Sequence, residues 1–196
     1  LALAGYLKRP DENLREFDAV SAKRQISVSG GTDAHSNIGF HFLGDDAGNK
    51  LINLKLDGYE IAFRMLRTHL LIDKTQLLSE ESVLDALKKG HSFIGFDVLS
   101  DSTGFSFRAE NGSDHRLMGD EISFAENNTF LTIKTPQTAR FVIFRNGEIV
   151  SETAQIKELR LPVEKKGTYR VEVYLDSLGS PFDKFPWIIS NPIYIN

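Results

Sequence analysis

The feature that constrains this chain most is a change of hydrophobic period at Gly90. Before it, Ser79 stands as an N-cap and Glu80 and Glu81 place carboxylates in a first turn. Val83, Leu84 and Leu87 then recur at helical spacing, and Lys88 and Lys89 precede the glycine stop. Each of these choices satisfies a helix end or its dipole, so the pattern predicts a helix over 80–89. After Gly90 the apolar residues alternate with polar ones at period two. Runs at 93–98, 105–109, 129–135, 139–145, 148–151, 156–161 and 168–175 read as strands, with a last short one at 193–195. Phenylalanine is in excess, 14 against 2 Met and 1 Trp, and aromatics in short runs favour a pleated surface over a helical bundle. Arg145-Asn146-Gly147-Glu148 joins two of the runs, and its Asn-Gly pair predicts a type I′ hairpin turn. Many short strands separated by turn residues predict an antiparallel β-sandwich over 91–196.

The first 90 residues read differently. Leu1 to Leu7 has the spacing of the interior of an amphipathic helix, so the chain reads as a fragment whose targeting signals would lie elsewhere. Pro10 and Asp11 open a helical pattern carried by Leu14, Phe17 and Val20. Ile26 and Val28 alternate with polar neighbours and predict a short strand that Gly30-Gly31 ends. A polar, Gly-containing stretch from 32 to 50 reads as a long functional loop, and 59–72 is apolar without a clear period. The net charge of −4 gives no electrostatic footprint for nucleic acid, and no stretch reaches the ~18 apolar residues of a membrane helix. The absence of Cys excludes disulfides and thiolate ligands, yet leaves cytoplasmic and exported locations both open.

One segment carries chemistry. In Gly30-Gly31-Thr32-Asp33-Ala34-His35-Ser36 the glycines permit a sharp turn at the end of a strand. Asp33 and His35 are two apart, so on an extended chain both project to one side. A carboxylate oxygen beside an imidazole nitrogen suits a divalent ion such as zinc, manganese or iron. The same spacing also arises by chance, and a polar turn with Asp33 capping amides and His35 solvated fits it as well. His69 reads as a boundary residue among Leu70, Leu71 and Ile72. His91 follows a capping glycine, His115 lies in a polar loop, and His41 belongs to no motif. Asp45-Asp46 reads as solvated loop.

Thr32-Asp33-Ala34-His35 after a strand and a glycine pair resembles the late metal-binding motif of the polymerase and histidinol phosphatase (PHP) superfamily. Phe63-Arg64, Thr68-His69-Leu70-Leu71, the helix from Ser82 to Gly90 and Phe96-Asp97 resemble the segments that come after it there. So do Tyr169–Tyr174 and Pro186-Trp187-Ile188-Ile189-Ser190-Asn191-Pro192-Ile193-Tyr194. The resemblance implies that Asp33 and His35 are metal ligands and that the substrate is a small-molecule phosphate ester. It implies an α+β chain: the C-terminal piece of a distorted β/α barrel over 1–90, then the sandwich. That family also needs a His-x-His pair and further ligands from earlier strands, which this chain lacks. The chain alone is therefore expected to be inactive, with the N-terminal part of the same protein as the partner that completes the site.

Lys166-Gly167-Thr168-Tyr169-Arg170-Val171-Glu172-Val173 further resembles the immunoglobulin-like strand that begins with a corner tyrosine; a half-buried strand aromatic fits Tyr169 equally well. The alternative function is a non-catalytic module that binds or packs against a glycan, peptide or partner domain. Phe182, Phe185 and Trp187 are its candidate contact residues, unless they close the end of the sandwich.

Overall fold

The computed structural model describes residues 8–32, 39–44, 50–55 and 59–196, with the backbone alone for 39–44, 50–55 and 60–62. Helix α1 spans Asp11–Ser21, α2 Tyr59–Met65 and α3 Glu80–Lys89. Strands β1 (Gly39–Gly44) and β2 (Lys50–Lys55) form an antiparallel hairpin of their own, where the sequence predicts part of a long loop. Eleven strands form one larger sheet. They are β3 (Arg67–Leu70), β4 (Ser92–Gly95), β5 (Ser106–Asn111), β6 (Asp114–Leu117), β7 (Glu121–Ile122), β8 (Thr129–Arg145), β9 (Glu148–Glu152), β10 (Ile156–Pro162), β11 (Gly167–Tyr174), β12 (Ile188–Ser190) and β13 (Ile193–Ile195). The path runs β3-β4-β12-β11-β8-β5-β6, and every pairing is antiparallel except β13 with β7.

The expected α+β architecture, a piece of β/α barrel followed by a two-sheet β-sandwich, is overturned, since β3 to β13 join in one sheet. The chain is mainly antiparallel β, with few helices and a sheet curled into a half-barrel. The curl comes from β8. Its first half pairs with β5 and β10, so Ile133 lies between Phe107 and Leu159. Its second half pairs with β11 and β9, so Ile143 lies between Val171 and Ser151. The sequence predicts two strands here because Pro136 interrupts the pattern, but β8 runs straight through the proline. Inside the curl sit Phe107, Leu131, Ile133, Phe141, Ile143, Val171, Val173 and Trp187, all fully buried. This is the period-two face that the sequence announces, closed on itself so that apolar surface meets apolar surface.

Helix α3 forms as its caps dictate. Ser79 accepts from Ser82 N, Ser82 Oγ accepts from Ser79 N, and Gly90 takes the left-handed conformation at φ +74°. Its stripe is rotated from the predicted one: Ala86 is buried, whereas Leu84 stands 56% exposed. Tyr169 donates its hydroxyl to Lys165 O at 2.6 Å, the back-bond that a corner tyrosine makes.

Both faces of β11 are buried, and the outer one is polar. Arg170 grips Asp18 of α1 with two bonds of 2.5 and 2.7 Å and reaches Glu172 at 2.6 Å. Glu172 also receives Arg9 twice, at 2.8 and 2.6 Å, and the Tyr174 hydroxyl at 2.6 Å. The Arg170 guanidinium lies 4.1 Å from the centre of the Phe144 ring. Helix α1 is thus docked by charge, with Leu14 beside it on Ile94 and Ile189.

Two measurements check this packing. Asn146 and Gly147 hold φ of +50° and +85°, and a Cβ on Gly147 would meet Asp18 Cβ at 3.1 Å. Gly147→Val is expected to cost about 2 kcal/mol in urea unfolding, since a β-branched residue resists positive φ. The second concerns acid. Burial pushes the Glu172 carboxyl up, but Arg9, Arg170 and Tyr174 together hold it below the ordinary glutamate range. Its stabilisation is therefore complete above that range, about pH 4.3, and is lost as pH falls through the lower folded value. Unfolding midpoints followed downward from neutral pH should drop there in the native chain, and the drop should shrink in Glu172→Gln.

Candidate functional site

Asp33 and His35 lie outside the described residues, as do Asp45 and Asp46. The structure does describe the chain that leads to the motif. Residues 25–30 are extended but belong to no ladder, which overturns the predicted parallel strand at 26–29. Three side chains take the place of a neighbouring strand. The Tyr194 hydroxyl accepts from Ile26 N at 2.9 Å and donates to Ile26 O at 3.0 Å. The Asn191 carboxamide accepts from Val28 N at 2.7 Å and donates to Val28 O at 3.0 Å. The Thr68 hydroxyl accepts from Gly30 N and donates to Gly30 O, both at 3.0 Å.

Every second residue is thus paired in both directions, as in a ladder, but by a side chain. The period of two is kept because Ile26, Val28 and Gly30 turn the same way. Asn191 is itself fully buried and also bonds the Ser92 carbonyl and hydroxyl, each at 2.9 Å. Gly30 fits closely, since a Cβ there would lie 3.0 Å from Ile94 Cγ2. The clamp therefore holds the backbone in register up to three residues before Asp33.

On the opposite side of β3 from Thr68, His69 meets Asp97 and Ser102. His69 Nε2 is 2.9 Å from Asp97 Oδ2 and 3.0 Å from Ser102 Oγ, and Ser102 Oγ donates to Asp97 Oδ1 at 2.6 Å. The serine has one proton and gives it to the carboxylate, so both partners of Nε2 are acceptors and Nε2 carries the hydrogen. Ser102 is fully buried and its proton points at Asp97, so these residue types do not form a nucleophilic triad, in which the imidazole would stand between acid and serine. Arg67 adds a bond to Asp97 at 3.2 Å, and His69 stacks flat on Phe93 at 4.6 Å. Gly95 makes the room: a Cβ there would lie 2.3 Å from Ser102 Oγ. Sequence reading missed this cluster because His69 stands 28 and 33 positions from Asp97 and Ser102.

The other histidines divide. His91 bonds Asp120 Oδ1 at 2.7 Å, and His115 is exposed, 3.9 Å from Glu110. His41 lies in β1, where the backbone alone is described. Of the candidate surface aromatics, Trp187 and Phe185 are buried, Trp187 donates to Ser100 O at 2.6 Å, and Phe185 packs edge-on to Phe96. They close the structure and do not form an exposed platform. Among the described residues no three His, Asp or Glu stand together as a metal site, and no helix is long and apolar enough to cross a membrane. No known protein family, characterised protein or solved structure matches the chain.

The clamp has a direct measure. Asn191→Ala removes both bonds to Val28 and the side-chain bond to the buried Ser92 hydroxyl, a change worth about 2–3 kcal/mol. Amide hydrogen exchange at Val28 should accelerate by about ten-fold or more, with Ile26 less affected because Tyr194 still holds it.

Proposed function

We propose that this chain is the C-terminal part of a metal-dependent phosphoesterase of the PHP-like kind, in which Asp33 and His35 are ligands of a divalent metal. One observation supports the reading above others. The segments that resemble the family supply Thr68, Asn191 and Tyr194, and these three converge on the backbone that leads into Asp33-Ala34-His35. A fold that commits three partners from distant positions to one short extended segment is positioning the residues immediately after it.

The donor set fits zinc, manganese or iron, with one carboxylate oxygen and one imidazole nitrogen. Such an ion, when bound, lowers the pKa of a coordinated water and takes up the charge that develops on a phosphate ester. Asp33 and His35 act as ligands in this reading and carry no proton. The clamp side chains act through the backbone, fixing where the segment leaves the sheet. Two protein ligands do not hold a catalytic metal, so the N-terminal part of the same protein supplies the remainder.

The test is metal content and aryl-phosphate hydrolysis of the chain, alone and with that N-terminal part, beside Asp33→Ala and His35→Ala. Negligible turnover is expected for the chain alone, and loss of bound metal in each variant of the completed protein. Full metal content in both variants overturns the reading. It would put the non-catalytic module for a glycan, peptide or partner domain in its place.

A further inference from the structure

A cleft of about 770 Å³ opens between α3, the segment that joins β3 to it, and β5. Apolar residues make part of its wall, with Leu71, Phe105, Phe107, Leu117 and Ala86 contributing. The polar part is unequal in charge once existing bonds are counted. Asp85 is bound to Lys89 at 2.8 Å, and the Asp73 carboxylate is taken by the Thr75 amide and hydroxyl at 2.8 and 2.6 Å. Arg108 on β5 and Lys74 in the joining segment line the same cleft, and neither side chain has a hydrogen bond or ion pair among the described residues. Among the described residues the acids are engaged and these two cations are not.

His91 completes the wall. Asp120 holds His91 Nε2 at 2.7 Å with one oxygen and takes Leu117 N at 3.0 Å with the other. Burial works against the charged Asp120, but the His91 bond, the Leu117 amide and the nearby cations outweigh it and keep its pKa below the ordinary range. An ionised carboxylate accepts only, so Nε2 carries the hydrogen and Nδ1 is the free nitrogen. Neutral, Nδ1 accepts a bond from a ligand hydroxyl; protonated, it donates to an oxyanion.

The comparable cleft of about 540 Å³ over the outer face of β8 and β11 is different. Its two arginines are already taken, Arg9 by Glu172 and Arg140 by Asp176 and Glu152.

We infer that the cleft between α3 and β5 binds a small oxyanion ligand, a phosphate monoester or a carboxylate with an apolar body, held by Arg108, Lys74 and His91. Arg108 suits the role because a guanidinium fork matches two oxygens of such a group. The site stands on residues other than Asp33 and His35, so it does not depend on the function proposed above.

The experiment is a titration of the folded chain, at constant ionic strength, with inorganic phosphate, phenyl phosphate and benzoate, read by amide and histidine-ring NMR. Saturable shifts confined to Arg108, Lys74 and His91 are expected, with binding weakened about ten-fold by Arg108→Gln. Lys74→Gln should weaken it less, and Lys184→Gln, in the cleft over β8 and β11, should not change it. Saturation by phenyl phosphate alone identifies a phosphate ligand, and by benzoate alone a carboxylate. Shifts that grow linearly with every salt overturn the inference, as does unchanged affinity in Arg108→Gln and Lys74→Gln when both variants melt like the parent.

Discussion

The arrangement depends on burying a guanidinium. Arg170 is 2% exposed and sits between Asp18 and Glu172, where water cannot share its charge. Such an ion pair contributes little net stability, because the desolvation it demands is of the order of what its attraction returns. What it gives is position. A guanidinium fork satisfied by two bonds to Asp18 and one to Glu172 admits one placement of α1 over β11, whereas an apolar contact would allow the helix to slide. Arg9, just before the helix, meets the same Glu172 and fixes the approach of the chain. The ring of Phe144 covers the group and keeps it dry.

That placement sets the next one. From Ser21, whose carbonyl accepts from Thr168 Oγ1, only a few residues separate α1 from the clamp on Ile26, Val28 and Gly30. The helix fixes where the segment starts, and the clamp fixes its register. A ladder strand gains neighbours on both edges, and side-chain pairing does not. Its strength is local, resting on three residues instead of a sheet. This is why Asn191 is fully enclosed and bonded on every side: an amide free to rotate could present nitrogen where oxygen is needed.

The parts of the fold legible in the sequence are those whose causes are local. Helix α3 carries both its caps within a single short stretch, Ser79 to Gly90, and the Asn146-Gly147 turn needs only its own two residues. The alternation at 26–29 correctly implied extended chain, but alternation says nothing about what the chain pairs with. A parallel strand and a side-chain clamp leave the same trace. The partners are Thr68, Asn191 and Tyr194, up to 168 positions away, and no local pattern marks them. Arg170 and Glu172 are another case, since charge alternating with Val171 and Val173 is also the pattern of a solvated face. Here helix α1 covers that face. Asp33-x-His35 was the motif most visible in the sequence, while Asp97 and Asp120, which fix two imidazoles, were hidden by distance.

Those two imidazoles show how similar chemistry is put to unlike use. His69 lies within β3 and His91 just before β4, each with Nε2 hydrogen directed at a carboxylate, and the Leu71 amide bonds the His91 carbonyl at 2.8 Å. The surroundings separate them. His69 is stacked on Phe93, its carboxylate also takes Arg67 and Ser102, and a glycine at position 95 leaves just enough room for the group. Every partner there is already satisfied by another, as in a structural knot that ties loop 96–105 to the sheet edge. His91 shares its wall with cations that have no partner among the described residues, and the second oxygen of its carboxylate partner takes Leu117 N. An oriented imidazole is not a site in itself, and what sets the inferred ligand cleft apart is that Arg108 and Lys74 beside His91 have no partner among the described residues.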